Sequence, residues 1–226
     1  RREILNRTEM ADILLLQESH GNDTLLEQST KKTNSISSTY NNAARGCITL
    51  SKTKIDQLYN DNVGRIWAGC TEIGEQKLYI INIYAPTLNN TASSKREYAD
   101  FLYKIQSTLE QLKVRENIIL IGDFNIVMEE QLDNKGLGHT SAHEEMANKL
   151  RDILDEAHLY DAFRILYPDK AEYSYAPMGN NPCRIYRRLD YAFISYNLIP
   201  KLENVLYQHT WASDHKIVNI QLNPLG

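Results

Sequence analysis

No run in this chain approaches the roughly 18 consecutive apolar residues of a membrane-spanning helix. Cysteine is scarce: Cys47, Cys70 and Cys183 are odd in number, scattered and not in metal-ligand spacing. That excludes a cysteine-built metal site and speaks against a disulfide framework, so a reducing intracellular compartment is expected. Neither sign of charge dominates, with 25 basic against 29 acidic residues. The chain is therefore no general polyanion binder, and any DNA contact has to come from a local basic patch. There is no internal repeat and no linker long enough for a domain break. What remains is 226 residues, enough for one large α/β domain with a sizeable core.

Strands are expected over 13–17, 45–50, 63–73, 77–84, 118–122, 172–176, 185–195, 203–209 and 215–222. Tyr98, Phe101, Leu102, Ile105, Leu109 and Leu112 recur at helical spacing, which predicts an amphipathic helix from Ser94 to Lys113 with Ser94 and Glu97 as its capping box. A second helix is expected from Ser141 to Ala157, capped by Ser141 and Glu144, with Met146, Leu150, Ile153 and Leu154 inward. The polar stretch from His20 to Asn42 reads as a loop, or a weak strand and loop.

Four polar clusters sit at the ends of apolar strands. Gln17-Glu18-Ser19-His20 follows Ile13 to Leu16, and Gly122-Asp123-Phe124-Asn125 follows Ile118 to Ile121. Arg187-Arg188-Leu189-Asp190 opens the strand Tyr191 to Ile194, and Ser213-Asp214-His215-Lys216 opens Ile217 to Ile220. Strands that stop or start on acids, an Asn and a His can focus those groups in one cleft. Such a set suits a hard divalent cation and a phosphate. Asp123 and Asn125 lie two apart, so an extended segment would point both to one side. The plain alternatives are a strand-end acid at Glu18, a Gly-Asp turn at Asp123 and a solvated turn at the arginines. His139, His143, His158 and His209 are read as ordinary histidines.

With these clusters in order, the chain resembles the endonuclease/exonuclease/phosphatase superfamily, and within it the apurinic-type endonuclease domain of LINE retrotransposons. The resemblance is carried by QES at 17–19, Asn82-Ile83-Tyr84-Ala85-Pro86, GDFN at 122–125, YSY at 173–175, RRLDYAFIS at 187–195 and SDH at 213–215. It implies an α/β four-layer sandwich, two mixed β-sheets packed face to face and flanked by helices.

The resemblance also implies roles. Glu18 is the principal Mg2+ ligand, with Mn2+ as a substitute, and Asp214 approaches the metal or its water. Asp123 activates the attacking water, Asn125 holds the phosphate, and Tyr84 donates its hydroxyl to it. His215 contacts the scissile phosphate and Asp190 orients it. Ser174, Arg184, Arg187 and Arg188 contact DNA, and the turn-rich stretch 176–183 corresponds to a hairpin that enters the minor groove.

One departure stands out. The family begins with a strand carrying a phosphate-binding Asn, whereas this chain opens at Arg1-Arg2-Glu3-Ile4-Leu5. Residues 1–226 are therefore expected to be a single domain lacking its first strand, with weakened activity. The function expected is a Mg2+-dependent endonuclease that nicks one strand of double-stranded DNA, in the nucleus, leaving a 3′-hydroxyl. That hydroxyl would prime reverse transcription by a polymerase domain elsewhere in the element. The alternatives are an apurinic-site repair endonuclease, a superfamily phosphatase acting on inositol phosphates or phospholipids, and a DNA-binding remnant that does not cut.

Overall fold

The computed structural model describes residues 11–17, 34–39, 46–136, 140–177, 185–210 and 213–223. The opening Arg1 to Leu5, most of the polar stretch after His20, most of the hairpin at 176–183, and His139 and Cys183 lie outside the described residues. The chain divides into two compact units, each discontinuous in sequence.

The first unit takes in residues 1–84, 117–122 and 224–226. Its strands are β1 (Ile13–Leu16), β2 (Asn34–Thr39), β3 (Gly46–Ser51), β4 (Ile55–Asn60), β5 (Ile66–Ile73), β6 (Gln76–Tyr84) and β7 (Ile118–Asp123), whose last residue belongs to the second unit. β3 is central in a small antiparallel sheet of order β1-β3-β2, with Leu14 opposite Leu50 and Ile36 opposite Thr49. The order β4-β5-β6-β7 forms the larger assembly, and β4, β5 and β6 run as an antiparallel meander. Ile66, Trp67, Ala68, Ile80, Ile81 and Ile83 are buried. Strands covered on both faces read as continuous apolar runs, which is why β5 and β6 are visible in the sequence. Asn82 interrupts that run and is fully buried. Its carboxamide is satisfied there: Gln17 Nε2 donates to it at 2.8 Å and it donates to the Leu16 carbonyl at 3.4 Å. The end of β1 is thereby tied to β6.

The second unit takes in residues 85–116 and 123–223. Helix α1 (Ala92–Leu112) buries Tyr98, Phe101, Leu102, Ile105 and Leu109. Its N-cap is Thr91, whose Oγ1 accepts from Ser94 N, so Ser94 lies inside the first turn. Ser94 instead donates to the Thr87 carbonyl and accepts from Asn89 N, which ties down the approach to the helix. After the short helix α2 (Glu130–Asp133) and β8 (Asn134–Lys135), helix α3 (Ser141–Ala157) packs on α1. Its N-cap is Thr140, not Ser141, and its C-cap is His158 in the left-handed conformation.

β9 (Leu159–Asp161) leads into α4 (Ala162–Leu166), whose N-cap Asp161 accepts from Phe163 N and Arg164 N. The expected strand 185–195 is two strands, β10 (Tyr186–Arg187) and β11 (Asp190–Ser195). β10 pairs with β8 and β11 with β9, both antiparallel. A 3-10 turn over Tyr196–Lys201 leads to β12 (Leu202–Gln208), which pairs with β13 (Ile217–Leu222). The strand expected over 172–176 is reduced to bridges at Tyr175, one to Arg187 and one to His215. Among the described residues no helix is long and apolar enough to cross a membrane.

Candidate active site

β7 delivers the first acid. Gly122 has φ 146°, and a Cβ there would stand 2.0 Å from the Ile83 carbonyl oxygen, so only glycine allows this approach to β6. Asp123 follows at once, 6% exposed. The chain then turns, because Asp123 Oδ1 accepts from Asn125 N at 2.9 Å and Asn125 takes φ 51°. Asn tolerates that left-handed conformation better than most residues. The extended arrangement expected for Asp123 and Asn125 is thus corrected, because the carboxylate captures the backbone two residues on. Asn125 Nδ2 donates to the Ala85 carbonyl at 2.9 Å, and Ala85 N donates to the Asp123 carbonyl at 2.8 Å.

β11 delivers the second acid and the segment before β13 the histidine. Asp190 Oδ2 lies 2.8 Å from His215 Nδ1. Ligand atoms of Asp123, Asp190 and His215 all lie within 4.8 Å of one another. Burial pulls the His215 imidazolium down. The hydrogen bond with Asp190 and the charges of Asp190, Asp123 and Asp214 outweigh burial and push it up to about 9. The imidazole is accordingly a cation at neutral pH, held between two carboxylates. The Tyr175 ring flanks it at 5.1 Å.

The donor set can be tested against a metal. Two carboxylates suit a hard divalent cation. The imidazole fits less well, because Nδ1 is engaged by Asp190 and a proton competes with a metal for the ring. The cluster is best suited to carboxylate-held metal with a hydrogen-bonded His–Asp pair beside it. Glu18, expected as the principal ligand, lies outside the described residues, as does Arg184. Asp214 is half-buried beside His215 but is not one of the three clustered groups.

Two of the expected DNA contacts are corrected. Arg188 is fully buried. Its guanidinium donates to Asp133 through Nε at 2.8 Å and Nη2 at 2.9 Å, and to Asp161 through Nη1 at 3.2 Å and Nη2 at 2.6 Å. Arg164 donates to the same Asp133 carboxylate. Two cations and two anions close on themselves, and no guanidinium face is left for a phosphate. Burial opposes the Arg188 charge, but Asp161 and Asp133 outweigh it and hold the proton more firmly than usual. Ser174 is 1% exposed, and its Oγ accepts from Leu189 N at 2.8 Å and Asp190 N at 3.0 Å. Its hydroxyl faces the protein rather than solvent. Arg187 is half-buried on β10.

In the first unit, the Arg65 guanidinium lies 4.9 Å over the Tyr84 ring and donates to the Tyr84 carbonyl at 3.4 Å. Tyr207, which sequence reasoning missed, donates its hydroxyl to the Asp190 carbonyl at 2.8 Å. With so many tyrosines in the chain, residue type gave no signal for it.

A profile described as the Endonuclease/Exonuclease/phosphatase family matches residues 2–215. Among solved structures, an AP endonuclease from Archaeoglobus fulgidus is similar at TM-score 0.81 and 15% identity, covering 98% of this chain and 93% of that one. A 3′ phosphatase from Neisseria, bound to a product DNA hairpin, gives TM-score 0.78 at 16% identity, with 98% and 93% covered. An AP endonuclease from Leishmania major gives TM-score 0.73 at 16% identity, with 97% and 80% covered. These likenesses show the fold, the α/β sandwich expected from the sequence.

Proposed function

The chain belongs to the endonuclease/exonuclease/phosphatase family, and from that premise we propose that it is a divalent-metal-dependent phosphodiesterase that nicks double-stranded DNA. The observation that carries the reading is the convergence of Asp123, Asp190 and His215 within 4.8 Å. Three groups from three separated stretches of sequence meet as a candidate base, an acid partner and a cation. In this reading Asp123 takes a proton from the attacking water. The oxygen of that water forms a bond to phosphorus as the bond to the 3′ oxygen breaks, leaving a 3′-hydroxyl and a 5′-phosphate. His215, charged and oriented by Asp190, offsets the negative charge that builds on the phosphate oxygens. Asn125 and Tyr84 are proposed phosphate contacts and Arg187 a DNA-backbone contact.

On the resemblance, a Mg2+ ion, with Mn2+ as a substitute, would be held by Glu18 and Asp214, and would supply Lewis-acid stabilisation of the phosphate. The order of the RRLDYAFIS and SDH segments supports the narrower reading, a LINE-type endonuclease acting in the nucleus, whose 3′-hydroxyl primes a reverse transcriptase. The likeness to structures named as AP endonucleases supports a second reading, cleavage at abasic sites.

Incubation with supercoiled plasmid and Mg2+ separates these. Nicking of undamaged DNA is the expected result. Cutting confined to DNA with abasic sites would favour repair, and retardation of DNA without cutting would overturn the enzymatic reading.

A further inference from the structure

Ser174, expected at the DNA surface, is instead joined to both halves of the His–Asp pair. Its Oγ accepts the backbone N–H of both Leu189 and Asp190, and its backbone carbonyl accepts Lys216 N at 2.6 Å. One residue therefore touches the chain at Asp190 and also the chain next to His215. Ser174 N and Tyr175 N both donate to the Arg187 carbonyl, at 2.9 and 2.8 Å, and Ala176 N donates to the Asp214 carbonyl at 3.0 Å. The stretch from Ser174 to Ala176 is thus a spacer lying between the two strand openings that carry Asp190 and His215.

The Asp190 side of this spacer is held through its backbone polar groups. Arg188 N donates to the Asp133 carbonyl at 2.8 Å, and the Arg188 carbonyl accepts the Tyr191 hydroxyl at 2.7 Å. The Leu189 carbonyl accepts Phe124 N at 2.8 Å, which couples the segment to the turn that carries Asp123. The Asp190 carbonyl accepts the Tyr207 hydroxyl. Across Arg188, Leu189 and Asp190, side chains and loop backbone thus bond the backbone polar groups that lead into β11. The buried Arg188 guanidinium, clamped by Asp133 and Asp161, anchors the start of the segment.

We propose that Ser174 is a positioning residue, which with Tyr207 and the buried Arg188 clamp sets the geometry of the Asp190–His215 pair. The inference rests on the reading of that pair as the phosphate end of the site. It assigns to Ser174 an effect on rate and none on DNA affinity. A DNA contact would show the reverse.

The experiment uses the full chain carrying Ser174→Ala or Tyr207→Phe, with His215→Gln as the reference for loss of the pair. Single-turnover nicking of plasmid DNA with Mg2+ gives the rate, and titration of a DNA duplex gives the dissociation constant. The hydrogen-bonded His215 Nδ1–H proton resonance, identified by its absence from His215→Gln, gives the geometry without reference to activity. Each positioning variant is expected to lose rate on the order of tenfold, to keep its DNA affinity within about twofold, and to shift or broaden the imidazole resonance. Unchanged rate overturns the proposal, and so does lost rate with an unmoved resonance. Weakened DNA affinity at unchanged rate would also overturn it and return Ser174 to the DNA surface. Should Ser174→Ala not fold, Tyr207→Phe decides by the same readouts. Nicking retained by His215→Gln would instead remove the reading of the site itself.

Discussion

At His215 two opposing influences meet. Desolvation disfavours the imidazolium, while Asp190, Asp123 and Asp214 favour it, and the balance lies at about 9 against an ordinary 6.5. A histidine whose proton is held more tightly in the folded state stabilises the fold fully below about pH 6.5. That stabilisation, up to about 3 kcal/mol, is lost as pH rises through about 9. Urea midpoints of metal-free wild type and His215→Gln, taken at about pH 6 and about pH 9.5, are therefore expected to converge at the higher pH. A constant gap would show that the pair does not hold that charge.

The same pair makes a kinetic prediction. His215→Gln and Asp190→Asn are each expected to slow nicking on the order of a hundredfold or more, with the double variant little worse than either single one. Additive losses would mean the two groups act separately. Asp123, Asp190 and His215 were legible because polar residues at the ends of apolar strands are conspicuous. Arg188 was misread because Arg187 and Arg188 are chemically identical in the sequence. The partners that bury one of them, Asp133 and Asp161, lie 55 and 27 residues away.

Among the elements, those with continuous apolar runs or helical periodicity were legible, and those built by pairing were not. β2 is polar apart from Ile36 and exists as a strand through its pairing with β3. β10 and β11 read as one strand, because a break at Arg188 and Leu189 leaves no mark in a run of strand-forming residues. The cap of α1 was placed three residues late, since Ser94 with Glu97 imitates a capping box while Thr91 does the capping. Thr91→Ala is expected to cost about 1 kcal/mol with nicking unaffected. Gly122→Ala is expected to cost more than about 3 kcal/mol, since it adds a steric clash to a backbone conformation that only glycine adopts readily. Urea unfolding of the two variants checks both. A mild effect at Gly122 would mean that β6 and β7 can separate more easily than their close approach implies.

On the scale of the whole molecule, architecture and chemistry have different foundations. Fold likeness extends over 98% of the chain at 15% identity, because a sandwich is specified by where apolar residues recur more than by which ones they are. The interior supports that view. Its largest buried groups include Trp67, Tyr98, Tyr191 and Phe124, together with the internally neutralised Arg188. With its burial supplied by side chains, such a core is expected to hold without a bound ion, unlike small domains that are unfolded without their metal. Chelation of divalent ions is therefore expected to abolish nicking while leaving the protein folded. The shift in unfolding free energy should be only that of mass action, about 1.4 kcal/mol between metal-free protein and protein at ten times the metal dissociation constant. Circular dichroism and urea midpoints with chelator and with Mg2+ check this alongside the plasmid assay. Loss of folded signal on chelation would place the metal in the structural core rather than in the site, and the roles given to Asp123 and Asp190 would then have to be divided differently.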